Sequence, residues 1–233
     1  MQQLMNIKNV FEVFKMTGKY LRLAQKNKSP IIELKKSWAS DILQHLNLNI
    51  KKIGAPSTCN EPIILIGNHI SYLDIPVLMQ SCPEISFVSK SEVKAWPVIG
   101  KAAIQAETIF VERGSFTSRK TAKNQIANSL LLKKQKVALF PSGTTSIQPT
   151  VSWKKGAFEI AAENQIKIQP FRIRYNPLRA SAYIDQDNFL LHMYQLFQFK
   201  RIDVTLEFHE PVNIQDAVSD CVYWKEWCEG RQS

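Results

Sequence analysis

Along the first 46 residues, apolar side chains recur at spacings of three and four. Leu4, Ile7, Phe11, Phe14, Gly18 and Leu21 fall on one stripe of a helix, with Lys8, Lys15, Lys19 and Arg22 gathered beside it. A second helix is announced by Ser29-Pro30, a capping residue followed by the residue suited to the first helical position. It carries Ile31, Leu34, Trp38, Ile42 and Leu46 on one face. The pattern predicts an αα-hairpin. Its amphipathic faces suit two roles, covering the core of the main domain or lying on a membrane surface.

After a loop-like stretch at 54–62 the period changes. Short β-rich runs at 63–67, 85–88, 108–111 and 137–140 alternate with helical segments near 71–80, 94–103 and 116–134, which predicts an α/β domain. Beyond residue 165 the strands crowd together, at 168–172, 182–184 and 202–208, with a turn at Asn176-Pro177. The sheet is therefore expected to be mixed and not purely parallel. The aromatic and aliphatic crowd at 189–199 reads either as core or as a surface facing lipid. The expected fold is a mixed β-sheet flanked by helices behind an N-terminal amphipathic hairpin. Residues 1–54 are expected to form a membrane-associated helical segment and 55–233 a catalytic domain.

Composition narrows the class. With 233 residues, 45% hydrophobic and 21% charged, the chain has enough apolar surface for one sizeable core and too much for a disordered protein. Its longest clean apolar run, 63–67, is far short of the roughly 18 residues of a spanning helix. Lysines at 8, 15 and 19 interrupt any signal-peptide core, which places the expected action on the cytoplasmic side of the cell membrane, peripheral or monotopic. The cysteines at 59, 82, 221 and 228 form no CxxC pair and lie near no histidine cluster. They read as free thiols in a reducing compartment, with no metal site.

Charge adds a partner. Of the net +10, seven charges sit in residues 1–60, where ten Lys and Arg face three acidic residues. Such a surface calls for a polyanion. Because the excess lies on amphipathic helices, and no basic-aromatic strand motif of the RNA-binding type occurs, an anionic membrane surface is expected and nucleic acid is not.

The chemistry concentrates in Asn68-His69-Ile70-Ser71-Tyr72-Leu73-Asp74, which joins an apolar strand to an apolar helix. Five residues apart on a continuous helix, His69 and Asp74 would point roughly 140° apart. With His69 in the loop and Ser71 or a neighbour capping the helix, Asp74 in the first turn reaches back and holds one tautomer of the imidazole, leaving its other nitrogen to take a proton. The alternative is a structural pair with Asp74 as an ordinary cap. No nucleophile stands in the motif, so a base here would activate the substrate's own hydroxyl. His45, His192 and His209 have no motif partners and read as structural.

These residues resemble the first motif, Asn-His-x-Ser-x-x-Asp, of the glycerolipid acyltransferase family typified by 1-acylglycerol-3-phosphate acyltransferase. Further blocks match in order. Phe87-Val88-Ser89-Lys90-Ser91-Glu92 and Trp96-Pro97-Val98-Ile99-Gly100 are similar to the family's intervening segment, and Ile109-Phe110-Val111-Glu112-Arg113 to its second motif. Phe140-Pro141-Ser142-Gly143-Thr144-Thr145-Ser146 is similar to the third, usually Phe-Pro-Glu-Gly-Thr-Arg-Ser; Trp153-Lys154-Lys155-Gly156 and Pro170 follow. The resemblance spans about 63–175, with a family-like ending at Glu207-Phe208-His209-Glu210-Pro211.

The resemblance implies transfer of a fatty acyl group from an acyl-CoA or acyl-carrier-protein thioester to the hydroxyl of a lysolipid acceptor. His69 would be the general base and Asp74 its orienter, with no bound cofactor. It also implies a substrate-binding set. Arg113 is the phosphate ligand, the alternative being a surface salt bridge, with Lys90 a further cation; the Gly143-Thr144 turn supplies backbone N–H groups to an anion or is an ordinary strand-ending turn. Two departures bear on the acceptor: Ser142 stands where the motif has Glu, and Thr145 where it has Arg, which removes a planar phosphate clamp. The Gly-Thr-Thr variant is similar to relatives that acylate other lysolipids, lyso-ornithine lipid among them. The competing expectation is a weak or inactive relative that binds anionic membranes.

Overall fold

In the computed structural model, which describes residues 2–112, 116–148, 151–184 and 186–230, the chain opens with the expected hairpin of α1 (Gln2–Gln25) and α2 (Ile31–His45). Polar contacts join the two. Trp38 Nε1 donates to Thr17 Oγ1 (3.1 Å), the Tyr20 hydroxyl donates to Asp41 (2.7 Å), and His45 Nε2 lies 3.0 Å from the Asn9 carbonyl oxygen. Only α2 turns its apolar stripe into the core, burying Leu34, Ile42 and Leu46. On α1 the first half of the predicted stripe faces outward, with Leu4, Ile7 and Phe11 exposed at 75, 59 and 66%, while Phe14, Gly18 and Leu21 are half-buried. The helix docks instead through Val13, Met16, Thr17 and Ala24, roughly 120° round its axis.

A strand that the apolar pattern does not announce comes next. β1 (Leu48–Ile53) half-buries Leu48 and Ile50 and leaves Lys51 and Lys52 exposed, the habit of an edge strand whose lysines discourage further pairing. Because β1 joins the sheet and α2 joins its core, the boundary drawn at residue 54 separates no packing unit. The stripe on α2 has its partners on the sheet.

The remainder alternates strand and helix: β2 (Ile63–Gly67), α3 (Asp74–Ser81), β3 (Ile85–Lys90), a 3₁₀ turn (Ser91–Ala95), α4 (Ile99–Gln105), β4 (Ile109–Val111), α5 (Phe116–Leu131), β5 (Lys136–Leu139), α6 (Gly156–Asn164), β6 (Lys167–Asn176), α7 (Leu178–Ser181), α8 (Phe189–Leu196), β7 (Ile202–Phe208) and α9 (Ser219–Cys228). One seven-stranded sheet results, in the order β1-β7-β6-β2-β5-β3-β4, parallel throughout except where β7 runs against β6. The mixed sheet flanked by helices is as expected. Residues 182–184 are not a strand; Ala182 and Ile184 are buried in an extended segment, and the Tyr183 N–H donates to the Ile70 carbonyl (3.0 Å).

Strand β2 is buried along its whole length, and its alternate residues serve two cores. Ile63 and Leu65 face α2, α3 and α8, together with Val77, Leu78, Phe171, Ile173 and Leu206. Ile64 and Ile66 face α5, α6 and α9, together with Leu130, Phe158, Ile160 and Trp224. A continuous apolar run is what a parallel strand covered on both faces requires. The segment around α8 is divided, with His192, Met193 and Leu196 buried in the core and Leu190 and Leu191 exposed.

Candidate active site

Parallel strands β2, β5, β3 and β4 all end at one edge of the sheet, where ligands of open α/β folds gather. One residue past β2, the Asn68 side chain continues the ladder to β6. Its Nδ2 donates to the Ile173 carbonyl and its Oδ1 accepts the Ile173 N–H, both at 2.8 Å. Gly67, just before it, lies against Phe171 so closely that a Cβ there would stand 2.3 Å from the ring.

His69 follows in the loop and Asp74 opens α3, as the spacing predicts. The two side chains meet, with His69 Nδ1 2.7 Å from Asp74 Oδ2. Asp74 is wholly buried and accepts from four donors. Oδ2 takes the His69 Nδ1–H and the N–H groups of Ile70 (2.8 Å) and Ser71 (3.1 Å), while Oδ1 takes the hydroxyl of Tyr175 (2.7 Å). An acceptor so placed assigns the proton of His69 to Nδ1, which leaves Nε2 with its lone pair. The cap differs from expectation. Ser71 does not cap α3, and its hydroxyl has no partner among the described residues; the carboxylate of Asp74 instead reaches back to the loop amides.

The third block holds the imidazole from another side. Phe140, one residue past β5, stacks on the His69 ring with centroids 3.9 Å apart and planes 9° from parallel, and meets Phe171 edge-on at 5.9 Å. The Ser146 N–H donates to the His69 carbonyl at 2.8 Å. The first and third motifs are thus one constellation, and the ring, 19% exposed, is clamped between a carboxylate and an aromatic face.

The expected binding residues divide. Gly143 has φ +71°, and its N–H donates to the Phe140 carbonyl at 2.9 Å, while the Ser142 hydroxyl donates to the Thr144 carbonyl at 2.8 Å. The Gly143 amide thus closes the turn, and Thr144 is exposed at its tip. Lys90 ends β3 with its Cα abreast of Val111, two strands from β2 and so about 10 Å to the side of His69. Arg113 lies outside the described residues, two positions beyond the end of β4.

Asn68, Phe140 and Tyr175 are the site residues to which reading the sequence assigned no role of their own. For Tyr175 a signal existed, because Phe171, Ile173 and Tyr175 alternate along β6, past the point where the sequence pattern ended that strand. Burial first, and then the charge of Asp74, push the Tyr175 phenol well above the ordinary tyrosine range, so that it stays a donor. Nearby, the Tyr72 hydroxyl pairs with His192 Nδ1 at 2.9 Å, and burial holds His192 below the usual histidine range, as a neutral packing residue. Among the described residues no group of His, Cys, Asp and Glu gathers to hold a metal.

Comparison with known proteins places this arrangement. A family model described as Acyltransferase matches residues 43–174. A lyso-ornithine lipid O-acyltransferase of Pseudomonas aeruginosa is 32% identical over 184 residues, which cover 76% of this chain and 69% of that protein. A 1-acyl-sn-glycerol-3-phosphate acyltransferase of Neisseria meningitidis is 29% identical over 166 residues, 68% of this chain and 62% of that one. In fold, the chain matches the crystal structure of PlsC, the 1-acyl-sn-glycerophosphate acyltransferase of Thermotoga maritima, with a TM-score of 0.71 over 98% of this chain and 95% of that one, at 19% identity.

Proposed function

This chain belongs to the acyltransferase family, and from that premise we propose that it moves a fatty acyl group from an acyl-CoA or acyl-carrier-protein thioester to the hydroxyl of a lysolipid. The observation that carries the reading is the 2.7 Å contact between His69 Nδ1 and a carboxylate held by three further donors. His69 Nε2 removes the acceptor's hydroxyl proton as that oxygen attacks the thioester carbonyl. The tetrahedral intermediate collapses, the C–S bond breaks, and the proton passes from His69 to the departing thiolate. A thioester is already activated, so a base and donors to the oxyanion suffice without a covalent enzyme intermediate.

The acceptor we propose is of the lyso-ornithine-lipid type. Thr145 offers no guanidinium fork for a phosphate monoester, and the relative from Pseudomonas aeruginosa is named for that lipid. Arg113 and Lys90 are proposed to hold phosphate groups of the substrates. Purified protein supplied with labelled acyl-CoA or acyl-carrier protein and a panel of lysolipids tests the reading; failure to acylate any lysolipid overturns it.

An anionic membrane surface is the proposed partner, met from the cytoplasmic side. No helix among the described residues is long and apolar enough to cross a membrane. Support comes from the outward stripe of Leu4, Ile7 and Phe11 flanked by Lys8 and Lys15, and from Leu190 and Leu191 on α8, which packs against α1. Phe189 ties these elements to the site, since its ring meets Phe14 at 6.4 Å and Tyr72, three residues from His69, at 4.9 Å.

A further inference from the structure

We propose that Tyr175 is a positioning residue of the acyl-transfer reaction, its hydroxyl holding the Asp74 carboxylate in the orientation and charge distribution that His69 requires. The inference rests on the reading of His69 as base and extends it to a residue of β6 that no motif names.

Asp74 Oδ2 is served by the loop that carries His69, but Oδ1 is served from β6, where Tyr175 is its one donor among the described residues. Both groups are buried, so water does not replace that donor. Without it, a buried charged oxygen would stand unpaired, and the negative charge that Tyr175 draws to Oδ1 would shift toward Oδ2, changing what the carboxylate presents to the imidazole. Strand β6 is well placed to hold the pair. Ile173, two residues before Tyr175 on the same face, is locked to Asn68 by two hydrogen bonds, and Phe171, two earlier again, supports Phe140 under the His69 ring. One row of side chains thus braces the imidazole through Phe140 and the carboxylate through Tyr175.

Tyr175→Phe removes one oxygen and leaves the ring. The expected result is a fall in kcat of about tenfold, with KM for donor and acceptor unchanged. The low-field N–H proton of His69, observed by NMR without substrate, should move further downfield as Oδ2 keeps more of the charge. In an Asp74→Asn background the same change should cost nothing more, because its effect runs through the carboxylate. A folded Tyr175→Phe protein with an unmoved resonance or an undiminished kcat overturns the proposal, as does an equal loss in both backgrounds. If Tyr175→Phe alone does not fold, the Asp74→Asn/Tyr175→Phe double variant decides. Its folding shows that the hydroxyl answers the buried charge, and its failure assigns Tyr175 to packing and overturns the proposal. Since the resonance needs no turnover, a wild type that acylates no lysolipid defeats the acyl-transfer reading while this inference is still decided.

Discussion

His69 lies between two supports of different kinds, and single substitutions separate them. His69→Ala removes the proposed base, so transfer should fall by 10² to 10⁴ or more in a protein that still folds, on the usual contribution of such a base. Asp74→Asn should approach that loss, because the amide no longer dictates which nitrogen carries the proton. Near wild-type turnover by His69→Ala would refute the assignment. Gly67→Ala tests the other support. Its new Cβ meets the Phe171 ring, which must shift against Phe140, at a cost of about 1 to 3 kcal/mol of stability and with loss of turnover by a protein whose reacting groups are intact. Equal melting temperatures for this variant and wild type would show that the ring gives way freely.

At the scale of elements, α1 and α2 look alike in sequence and do different things. α2 is part of the core and β1 packs against it, so that cutting the chain at residue 54 would unfold the sheet edge as well as remove the proposed membrane contact. The membrane role is therefore tested by substitution. Leu4, Ile7 and Phe11 are exposed, and changing all three to Gln should leave the free energy of unfolding within about 1 kcal/mol of wild type while weakening flotation with anionic vesicles. Flotation of the wild type should fall as salt rises, because the flanking lysines act through a screened surface potential. Equal flotation of the triple variant and wild type would eliminate the stripe as the contact.

For the whole molecule the question is which lysolipid reaches the base. The third-motif turn sits one strand from His69, closed by the Ser142 hydroxyl and the Gly143 amide, and it carries both departures from the family pattern. The double change Ser142→Glu and Thr145→Arg should raise the use of lysophosphatidate relative to other lysolipids by roughly tenfold to a hundredfold, the worth of one charge-assisted contact. A competition assay on wild type and variant measures that ratio. A wild type that already prefers lysophosphatidate over every other lysolipid would show that another cation holds the phosphate.

What the amino-acid order determined by itself is whatever depends on neighbours along the chain. The continuous apolar run at 63–67 specified a strand covered on both faces, the spacing of His69 and Asp74 specified a loop histidine met by a helix-borne carboxylate, and the 3-4 stripes specified two helices. Contacts between distant segments were decided only by tertiary structure. Which stripe of α1 would be buried depended on the shape of α2, α4 and α8 beneath it. β1 became a strand because β7 offered it a partner edge, its own alternation being too weak to announce it. Tyr175 reached Asp74 across 101 residues because β6 lies beside β2, a pairing that no local pattern encodes. Local periodicity records which face of an element is apolar; the packing of the other elements settles what that face meets.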